Sequence, residues 1–412
     1  MDQLPNQRCD VLVIGAGLVG SSVAMHLARL GAGSIRVVDY DLEGSLSSSE
    51  LNAGGVRATW NQPVNIRSSQ LSIDYFASIA EEVGYRACGY LWMQTPEKMS
   101  QALQARERQL ALGWNVEAWD VPQLRKKVPF LDKTDDLAGA IFAPRDGLVN
   151  PNLLKNHYRT EARKLGVVFD DRTLVRSTAQ SGSEISVRCE YFEEAQTQDQ
   201  KIATFSGKPT GEKNGQVVQY RAAKVVNCAG PWAGEVAQAL GYRSPCFPVR
   251  RQVCIFDCRG LDLTPYGMMV DTSGVYFHPE AMNVLAGISS PSEPHGINFS
   301  YEGDRFFEEQ IWPQLSERAS AFENLKHVTG WAGLYEVSPD ESAIIGQVLG
   351  GKNSDQIFEA HSFSGHGVMH SYSAGLGLAE KMVHGAYRTL DLAELSGSRF
   401  EKAEFVRETA VI

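Results

Sequence analysis

The first forty residues contain two short apolar runs separated by a glycine-rich turn and a longer mixed segment. Residues 11–14 form an apolar run typical of a strand buried on both faces. Residues 21–30 have the pattern of a helix that ends at Gly31, and Ile35–Val38 is a second short apolar run. Together they predict a βαβ unit.

Three glycines lie between the first strand and the helix in a Gly-x-Gly-x-x-Gly spacing. Gly15 allows the tight turn, Gly17 lets the backbone approach a pyrophosphate, and Gly20 lets helix and strand pack closely. The helix N-terminus supplies N–H groups and a partial positive charge for phosphates. Asp39, 24 residues after Gly15, can accept hydrogen bonds from ribose hydroxyls and disfavours a 2′-phosphate. The motif predicts a dinucleotide site without separating NAD from FAD.

Further along the chain, the pattern is less regular. Residues 100–121 are predicted to be helical, and residues 248–301 alternate as strands do. Residues 176–220 predict hairpins, of which the charged middle, 193–215, is interpreted as a solvated loop. No internal repeat is found.

A second glycine-rich turn precedes the last long helical pattern. Gly365, His366 and Gly367 follow an apolar strand at 356–360 and precede the helix predicted at 373–384. Such a turn at a helix N-terminus is an anion site, because the free N–H groups and the helix dipole favour negative charge. His366 itself is interpreted as structural, since its glycine neighbours matter more.

Length and charge narrow the class of protein. A chain of 412 residues predicts two or three domains. Its net charge of −10 and the lack of a basic cluster argue against a nucleic-acid partner. Residues 11–28 carry no charged side chain, yet the glycines and the flank with Asp2, Arg8 and Asp10 argue against a membrane span or signal peptide.

The seven cysteines are scattered and odd in number. They show no Cys-x-x-Cys or Cys/His metal spacing, so neither a metal site nor a disulfide scaffold is predicted. A reducing compartment is favoured, and the cytoplasm is the predicted location.

Five segments carry further landmarks. They are the serine-rich stretch 44–57 ending in Gly-Gly-Val-Arg, KVVNCAGPWA at 224–233, PVRRQV at 248–253, WAGLYEVSPDE at 331–341 and HSFSGHGVM at 361–369. By composition alone, the serine-rich stretch could equally be a flexible surface loop. In this order, over nearly the whole chain, the segments resemble the FAD-dependent amine oxidoreductases of the D-amino acid oxidase superfamily. That superfamily includes sarcosine oxidase, glycine oxidase and dimethylglycine dehydrogenase.

The resemblance implies a fold of combined α/β and α+β class. It has a Rossmann-like FAD-binding domain of glutathione-reductase type, interleaved with a substrate domain built on a mixed or antiparallel sheet. The FAD-binding domain is expected to collect residues 1–85, 145–240 and 325–412. The substrate domain is expected to collect residues 86–144 and 241–324.

The resemblance also implies FAD as cofactor and a set of residues that contact it. These are Gly15, Gly17, Leu18, Val19, Gly20, Asp39, Tyr40, Ser47, Ser48, Ser49, Asn52, Ala53, Gly54, Gly55, Val175, Cys228, Ala229, Gly230, Trp232, Gly333, Leu334, Gly365, His366, Gly367, Val368 and Met369. Backbone N–H groups of 365–369 would stabilise the negative charge of the reduced flavin.

The implied reaction is oxidation of a C–N bond in an amino acid or N-alkyl amino acid. Hydride passes to flavin N5, and the resulting imine is hydrolysed. Arg57 aligns with the family arginine that pairs with the substrate carboxylate, with a structural salt bridge as its alternative. Tyr276 and His278 lie on the strand that faces substrate in relatives, with a plain core or surface position as the equal alternative. Arg250 and Arg251 are interpreted as domain-interface residues. An electron acceptor, either O2 or a carrier, completes the reaction.

Several positions depart from the family pattern. The cysteine that binds flavin covalently in monomeric sarcosine oxidases aligns with Gly333, and the histidine used by dimethylglycine dehydrogenases lies near Leu51, so non-covalent FAD is predicted. Leu285 stands at the place of the oxygen-activating lysine, which favours a dehydrogenase. Met369 replaces a second carboxylate-binding lysine, so sarcosine itself is disfavoured.

Two alternatives stay open at this point. One is a flavoprotein of this fold that serves as an assembly or binding factor without catalysis. The other is a 2-hydroxy-acid oxidoreductase, which the Gly-Gly-Val-Arg loop disfavours.

Overall fold

The apolar stretch near the N-terminus forms a strand, a turn and a helix, as its pattern predicts. The computed structural model describes residues 7–181, 183–205, 215–351 and 353–408; Asp2 of the predicted flank lies outside them. The unit consists of β1 (Gln7–Ile14), α1 (Leu18–Arg29) and β2 (Ile35–Val38). Among the described residues, no helix combines the length and apolarity that crossing a bilayer requires.

The remaining elements of the described residues follow in chain order. The strands are β3 (Gly55–Val56), β4 (Tyr90–Gln94), β5 (Glu117–Trp119), β6 (Gly139–Ala143), β7 (Gly147–Leu148), β8 (Val168–Asp170), β9 (Thr173–Ser181), β10 (Glu184–Phe192), β11 (Gly215–Asn227), β12 (Phe247–Asp257), β13 (Met268–Val270), β14 (Tyr276–Glu280), β15 (Asn283–Ile288), β16 (Lys326–Val337), β17 (Ile344–Gln347) and β18 (Ile357–His361). The helices are α2 (Pro63–Ser78), α3 (Ala80–Val83), α4 (Pro96–Ala111), α5 (Val121–Lys127), α6 (Pro151–Lys164), α7 (Gln198–Phe205), α8 (Ala233–Leu240), α9 (Asp304–Phe306), α10 (Trp312–Ser316), α11 (Gly367–His384) and α12 (Ser398–Lys402).

The first sheet has the strand order β17-β18-β11-β1-β2-β8, and β10 and β9 extend it from β11. Strands β18, β11, β1, β2 and β8 run parallel to one another, whereas β17 and β10 are antiparallel to β18 and β11. Because parallel strands end at the same edge, the turns after β1, β2, β11 and β18 meet there. This edge gathers motifs that lie up to about 350 residues apart in the sequence.

The second sheet has the order β16-β12-β15-β14-β13-β4-β6-β5. Its long pair, β12 and β16, is antiparallel, with Arg251 opposite Gly333. Neighbouring strands continue the antiparallel pattern except for β13 and β4, which are parallel. A short pair, β3 and β7, lies apart from both large sheets.

Helices cover the first sheet. Helix α1 packs against α6 and α11, and α11 also packs against α2. The approach of α1 to α11 is close, because a Cβ on Gly375 would lie 2.2 Å from Oγ of Ser22.

The two sheets take their strands from interleaved parts of the chain, as expected for interleaved domains. One difference concerns β16, which starts one residue after the predicted boundary at 325 and pairs in the second sheet rather than the first. The domain boundaries stay a prediction.

Two local predictions were wrong in part. The predicted helix at 100–121 ends at Ala111, because Gly113 takes a left-handed φ of 82° and the chain then forms β5. The segment 193–215 contains α7 instead of being loop throughout, and its residues 206–214 lie outside the described residues.

Candidate active site

The glycine-rich turn after β1 is fixed by close backbone contacts. A Cβ on Gly15 would lie 2.3 Å from the carbonyl oxygen of Cys228, and one on Gly20 would lie 1.9 Å from that of Gly15. Gly17 is the N-cap of α1, and the N–H of Leu18 donates to Oγ of Ser49 at 2.9 Å. The first and third glycines are therefore required by the turn itself, and the serine-rich stretch packs on the helix N-terminus.

Asp39 follows β2 and lies at the same edge of the first sheet as the turn after β1. Its carboxylate accepts the N–H of Ala16 at 2.5 Å and the N–H of Asp41 at 2.8 Å. Burial raises the pKa of Asp39, although these two amides counteract the shift. The carboxylate thus ties the turn after β1 to the end of β2.

These turns enclose a first cavity of about 950 Å³, which we term the N-terminal cavity. Fourteen of the predicted cofactor-contacting residues line it: Gly15, Gly17, Leu18, Val19, Asp39, Tyr40, Ser47, Ser48, Ser49, Val175, Cys228, Ala229, Gly230 and Trp232.

A second cavity of about 1070 Å³, the central cavity, continues from the first towards the second sheet. The two cavities share Leu18, Val19, Ser48, Ser49 and Glu336, so they form one continuous cleft. Predicted residues that line the central cavity also include Asn52, Ala53, Gly55, Arg57, Tyr276, Gly333, Leu334, Gly365, His366, Gly367, Val368 and Met369.

Three predicted residues lie outside both linings. Gly20 and Gly54 act through the backbone, since a Cβ on Gly54 would lie 2.5 Å from the carbonyl oxygen of Val149. His278 is buried on β14 and pairs in register with Leu285, and its Nδ1 faces the carbonyl oxygen of Pro279 at 2.9 Å. It lies two residues beyond Tyr276 on the same face of the sheet, outside the lining of the cavity but close to the backbone of Ala53, which does line it; its role stays a prediction.

Arg57 lines the central cavity although only 2% of it is exposed. Its guanidinium carbon lies 3.3 Å from the ring centre of Trp60 and 4.8 Å from that of Trp92, and Nη1 donates to the carbonyl oxygen of Thr59 at 2.9 Å. Stacking on indole faces holds a guanidinium in one orientation.

Asp146, which sequence reasoning missed, fixes the segment after Arg57. It accepts the N–H of Ala58 and the indole N–H of Trp114, both at 2.9 Å, and the hydroxyl of Thr59 at 3.2 Å. Burial raises the pKa of Asp146 to about 7. No local motif marks it, because its partners come from distant segments.

The turn before α11 is conformationally demanding. Gly365 has a φ of 90°, and the non-glycine residues Ser362 and Ser364 also take left-handed φ values of 60° and 50°. A Cβ on Gly365 would lie 2.6 Å from the ring of Tyr335, so glycine is needed for that contact. The turn aims the N-terminus of α11 into the central cavity.

His366 lines the cavity and packs on Trp60, with ring centres 3.9 Å apart. Neither of its ring nitrogens has a hydrogen-bond partner among the described residues. Burial and the charge of Arg57 hold the pKa of His366 well below its usual range, so its imidazole is neutral.

Sequence reasoning missed part of the walls of the central cavity. The aromatic residues that were missed are Trp60, Tyr90, Trp331, Tyr335 and Phe363. Arg251 also lines it, whereas Arg250 forms ion pairs with Glu293 at 2.7 Å and Glu302 at 2.9 Å. The interface role predicted for these two arginines stays a prediction.

The positions at which some relatives attach flavin covalently meet in this cavity. A Cβ on Gly333 would lie 3.2 Å from Cβ of Leu51, and both residues line the cavity. Neither residue offers a nucleophilic atom.

Comparison with known proteins identifies the family. The model of a family described as "DAO: FAD dependent oxidoreductase" matches residues 10–381. The chain is 30% identical to "FAD-dependent oxidoreductase domain-containing protein 1" of Xenopus laevis, over 99% of this chain and 86% of that protein. It is 24% identical to mitochondrial dimethylglycine dehydrogenase of Rattus norvegicus, over 96% of this chain and 45% of that protein.

A solved structure shares the fold. The crystal structure of L-proline dehydrogenase from P. horikoshii superposes with a TM-score of 0.82, covering 98% of this chain and 100% of that chain at 22% identity. This similarity confirms the predicted fold class. Together with the match over residues 10–381, it establishes that the chain belongs to the DAO family of FAD-dependent oxidoreductases and that its cofactor is FAD.

Proposed function

We propose that the protein oxidises the C–N bond of an amino acid or N-alkyl amino acid. The observation that carries this proposal is Arg57, a buried guanidinium held on two indole rings in the wall of the central cavity. A fixed guanidinium is suited to a bidentate contact with a carboxylate.

The residues of the cleft fit FAD. The turn at Gly15 and Gly17, with the N-terminus of α1, would hold the pyrophosphate, and Asp39 would accept from the ribose. The central cavity would hold the flavin ring, with 365–369 along one side. When bound, FAD supplies a two-electron acceptor for the hydride of the C–H bond next to nitrogen.

The charges of the central cavity favour a neutral amine in the substrate. Arg57 and Arg251 both line it, and nearby positive charge lowers the pKa of an amine. An unprotonated amine has the lone pair that imine formation requires. His366 is neutral and therefore adds no further positive charge beside the substrate.

The N-terminus of α11 is suited to stabilising negative charge in the central cavity. Backbone N–H groups at the start of this helix, together with its dipole, would stabilise negative charge that develops on the ring system beside them. Gly365 permits this approach, because its φ of 90° and its contact with Tyr335 exclude a side chain.

Leu285 supports transfer of electrons to a carrier rather than to O2. It is buried on β15 and does not line the central cavity, so no lysine ammonium reaches the site from this position. We infer a dehydrogenase; slow aerobic reoxidation of the substrate-reduced protein is the expected result.

The predicted cytoplasmic location belongs to the same proposal. All seven cysteines, which lie in the described part of the chain, are free thiols, as a reducing compartment favours. One relative is named as mitochondrial, so fractionation of cells is the direct measurement.

The decisive test is an anaerobic screen of amino acids and N-alkyl amino acids against the FAD-loaded protein, following flavin absorbance. Bleaching by an amine supports the proposal, bleaching only by 2-hydroxy acids supports the hydroxy-acid alternative, and no bleaching by either class supports a binding factor. Arg57→Lys is expected to lower kcat/KM about 10- to 100-fold, because it loses the bidentate contact. The same change at the exposed Arg188 is the control and should have no effect.

A further inference from the structure

Arg251 brings a second guanidinium into the central cavity. It lies on β12 opposite Gly333, on the strand pair that forms one wall. Its Nη1 donates to the carbonyl oxygen of Arg250 at 3.0 Å, and its guanidinium carbon lies 5.2 Å from the ring centre of Tyr335. Its Nε is buried and has no hydrogen-bond partner among the described residues.

Among the described residues, Arg251 forms no ion pair with the acidic side chains near this strand pair. Glu293 and Glu302 both pair with the neighbouring Arg250. Glu341 has Arg251 as a charged neighbour, and Glu336, which lines both cavities, keeps a buried Oε2 without a hydrogen-bond partner in the described part of the chain. The structure thus leaves Nε of Arg251 as a buried donor in the cavity wall.

Arg57, Arg251 and Tyr335 line the same cavity. Burial raises the pKa of Tyr335, and the charges of Arg251 and Arg57 counteract the shift. Two cations that face one cavity repel each other, and an unpaired buried donor is costly. A ligand with two anionic groups offsets the repulsion and gives Nε of Arg251 an acceptor, whereas a monocarboxylate at Arg57 leaves this donor unpaired.

We propose that the substrate is a dicarboxylate, that is, an amino acid or secondary amine that carries a second acidic group. This inference rests on the proposed function. Arg57 binds one carboxylate and Arg251 the other. The amine then lies between the two anchors. Arg251 is thus the residue that sets the preference for acidic over neutral substrates.

Binding of redox-inert ligands tests this on the FAD-loaded protein. Butanoate and butanedioate, and then pentanoate and pentanedioate, are titrated while the perturbation of the flavin spectrum is followed. The dicarboxylate of each pair should bind at least about ten-fold more tightly, as expected for one added charge-assisted contact. In Arg251→Met this preference should disappear while monocarboxylate binding stays within about two-fold; Arg251→Lys should keep part of the preference, and Arg188→Met all of it.

A second arm compares reduction of the flavin by N-methylglycine with that by N-(carboxymethyl)glycine, and by norvaline with that by glutamate. The acidic member should have the lower KM, and Arg251→Met should raise that KM much more than it raises the KM of the neutral member. Equal binding of mono- and dicarboxylates by the unaltered protein, or a preference that survives Arg251→Met, overturns the inference. In that case, bleaching by neutral amino acids would leave the proposed function intact; bleaching by no amine at all would remove both.

Discussion

At the residue scale, the position of Arg57 depends on a carboxyl group that does not line the cavity. Asp146 accepts hydrogen bonds from Ala58, Thr59 and Trp114, and the first two directly follow Arg57 in the chain. Because this carboxyl is fully buried, its ionised form is disfavoured, and burial raises its pKa to about 7. Asp146 is therefore a positioning residue whose protonation is linked to the stability of the fold.

The sign of this linkage gives a pH prediction. In the folded protein, Asp146 keeps its proton up to about pH 7, whereas in the unfolded chain it loses the proton near pH 3.8. Between these two pH values the folded state binds more protons than the unfolded state, so the free energy of unfolding falls as the pH rises. The slope is at most about 1.4 kcal/mol per pH unit. Asp146→Asn should remove it, so the Tm of the variant minus that of the unaltered protein should increase from pH 5 to pH 7 and then level off.

Thermal unfolding at several pH values measures this difference. Asp135→Asn, at a fully exposed carboxylate, is the matched control and should give a flat difference. A flat difference for Asp146→Asn as well would contradict the role assigned to its buried carboxyl.

At the element scale, the contact between α1 and α11 sets the relative position of two helix N-termini. Helix α1 begins at the turn of the N-terminal cavity, and α11 begins at the turn of the central cavity. They pack closely where Gly375 meets Ser22. Both ends of the cleft thus depend on one helix pair.

Gly375→Ala tests this coupling. The added Cβ would lie 2.2 Å from Oγ and 2.8 Å from the carbonyl carbon of Ser22, so the helices must separate. We expect a loss of about 1–3 kcal/mol in the free energy of unfolding, with weaker FAD binding. Denaturant unfolding and FAD titration of the apoprotein measure the two effects. His384→Ala, at an exposed position of α11, should change neither; unaltered FAD affinity in Gly375→Ala would argue against the coupling.

At the scale of the whole molecule, the cleft is lined by both large sheets. Its residues come from the turns that follow β1, β2 and β11, from the β12 and β16 pair, and from the start of α11. A bound ligand that contacts all of them stabilises the folded chain by mass action.

Denaturation is therefore expected to release all of the FAD. Removal of FAD from the native protein is expected to make the folded chain less stable. Acid precipitation should leave FAD in the supernatant and a colourless pellet, because neither Gly333 nor Leu51 provides a nucleophile. Removing FAD should lower the Tm, and adding it at about 100 times its Kd should restore about 2.7 kcal/mol. A yellow pellet would show covalent attachment. NADP added at the same concentration is the control and should restore none.

Sequence patterns predicted local features well and long-range contacts poorly. The strand, turn and helix at the N-terminus follow from local periodicity and from the spacing of the glycines, although Gly15 and Gly17 make their close contacts with the distant Cys228 and Ser49. The helix predicted at 100–121 was too long, because the left-handed turn at Gly113 and the pairing of β5 with β6 are decided by the sheet. Tyr276 and His278 were predicted through resemblance; Tyr276 lines the central cavity, whereas His278, two residues on, is not among its lining residues.

The sequence by itself determined the βαβ unit with its dinucleotide turn, the glycine turn before the last helix and, through resemblance, the family and its FAD. Only the tertiary structure decided which residues share the central cavity with Arg57. Tyr335 and Arg251 lie far from Arg57 in the chain, and they meet it because the β12 and β16 pair lies across from the edge at which the parallel strands end. Such contacts leave no local pattern, since the spacing along the chain constrains only neighbours within a helix or strand.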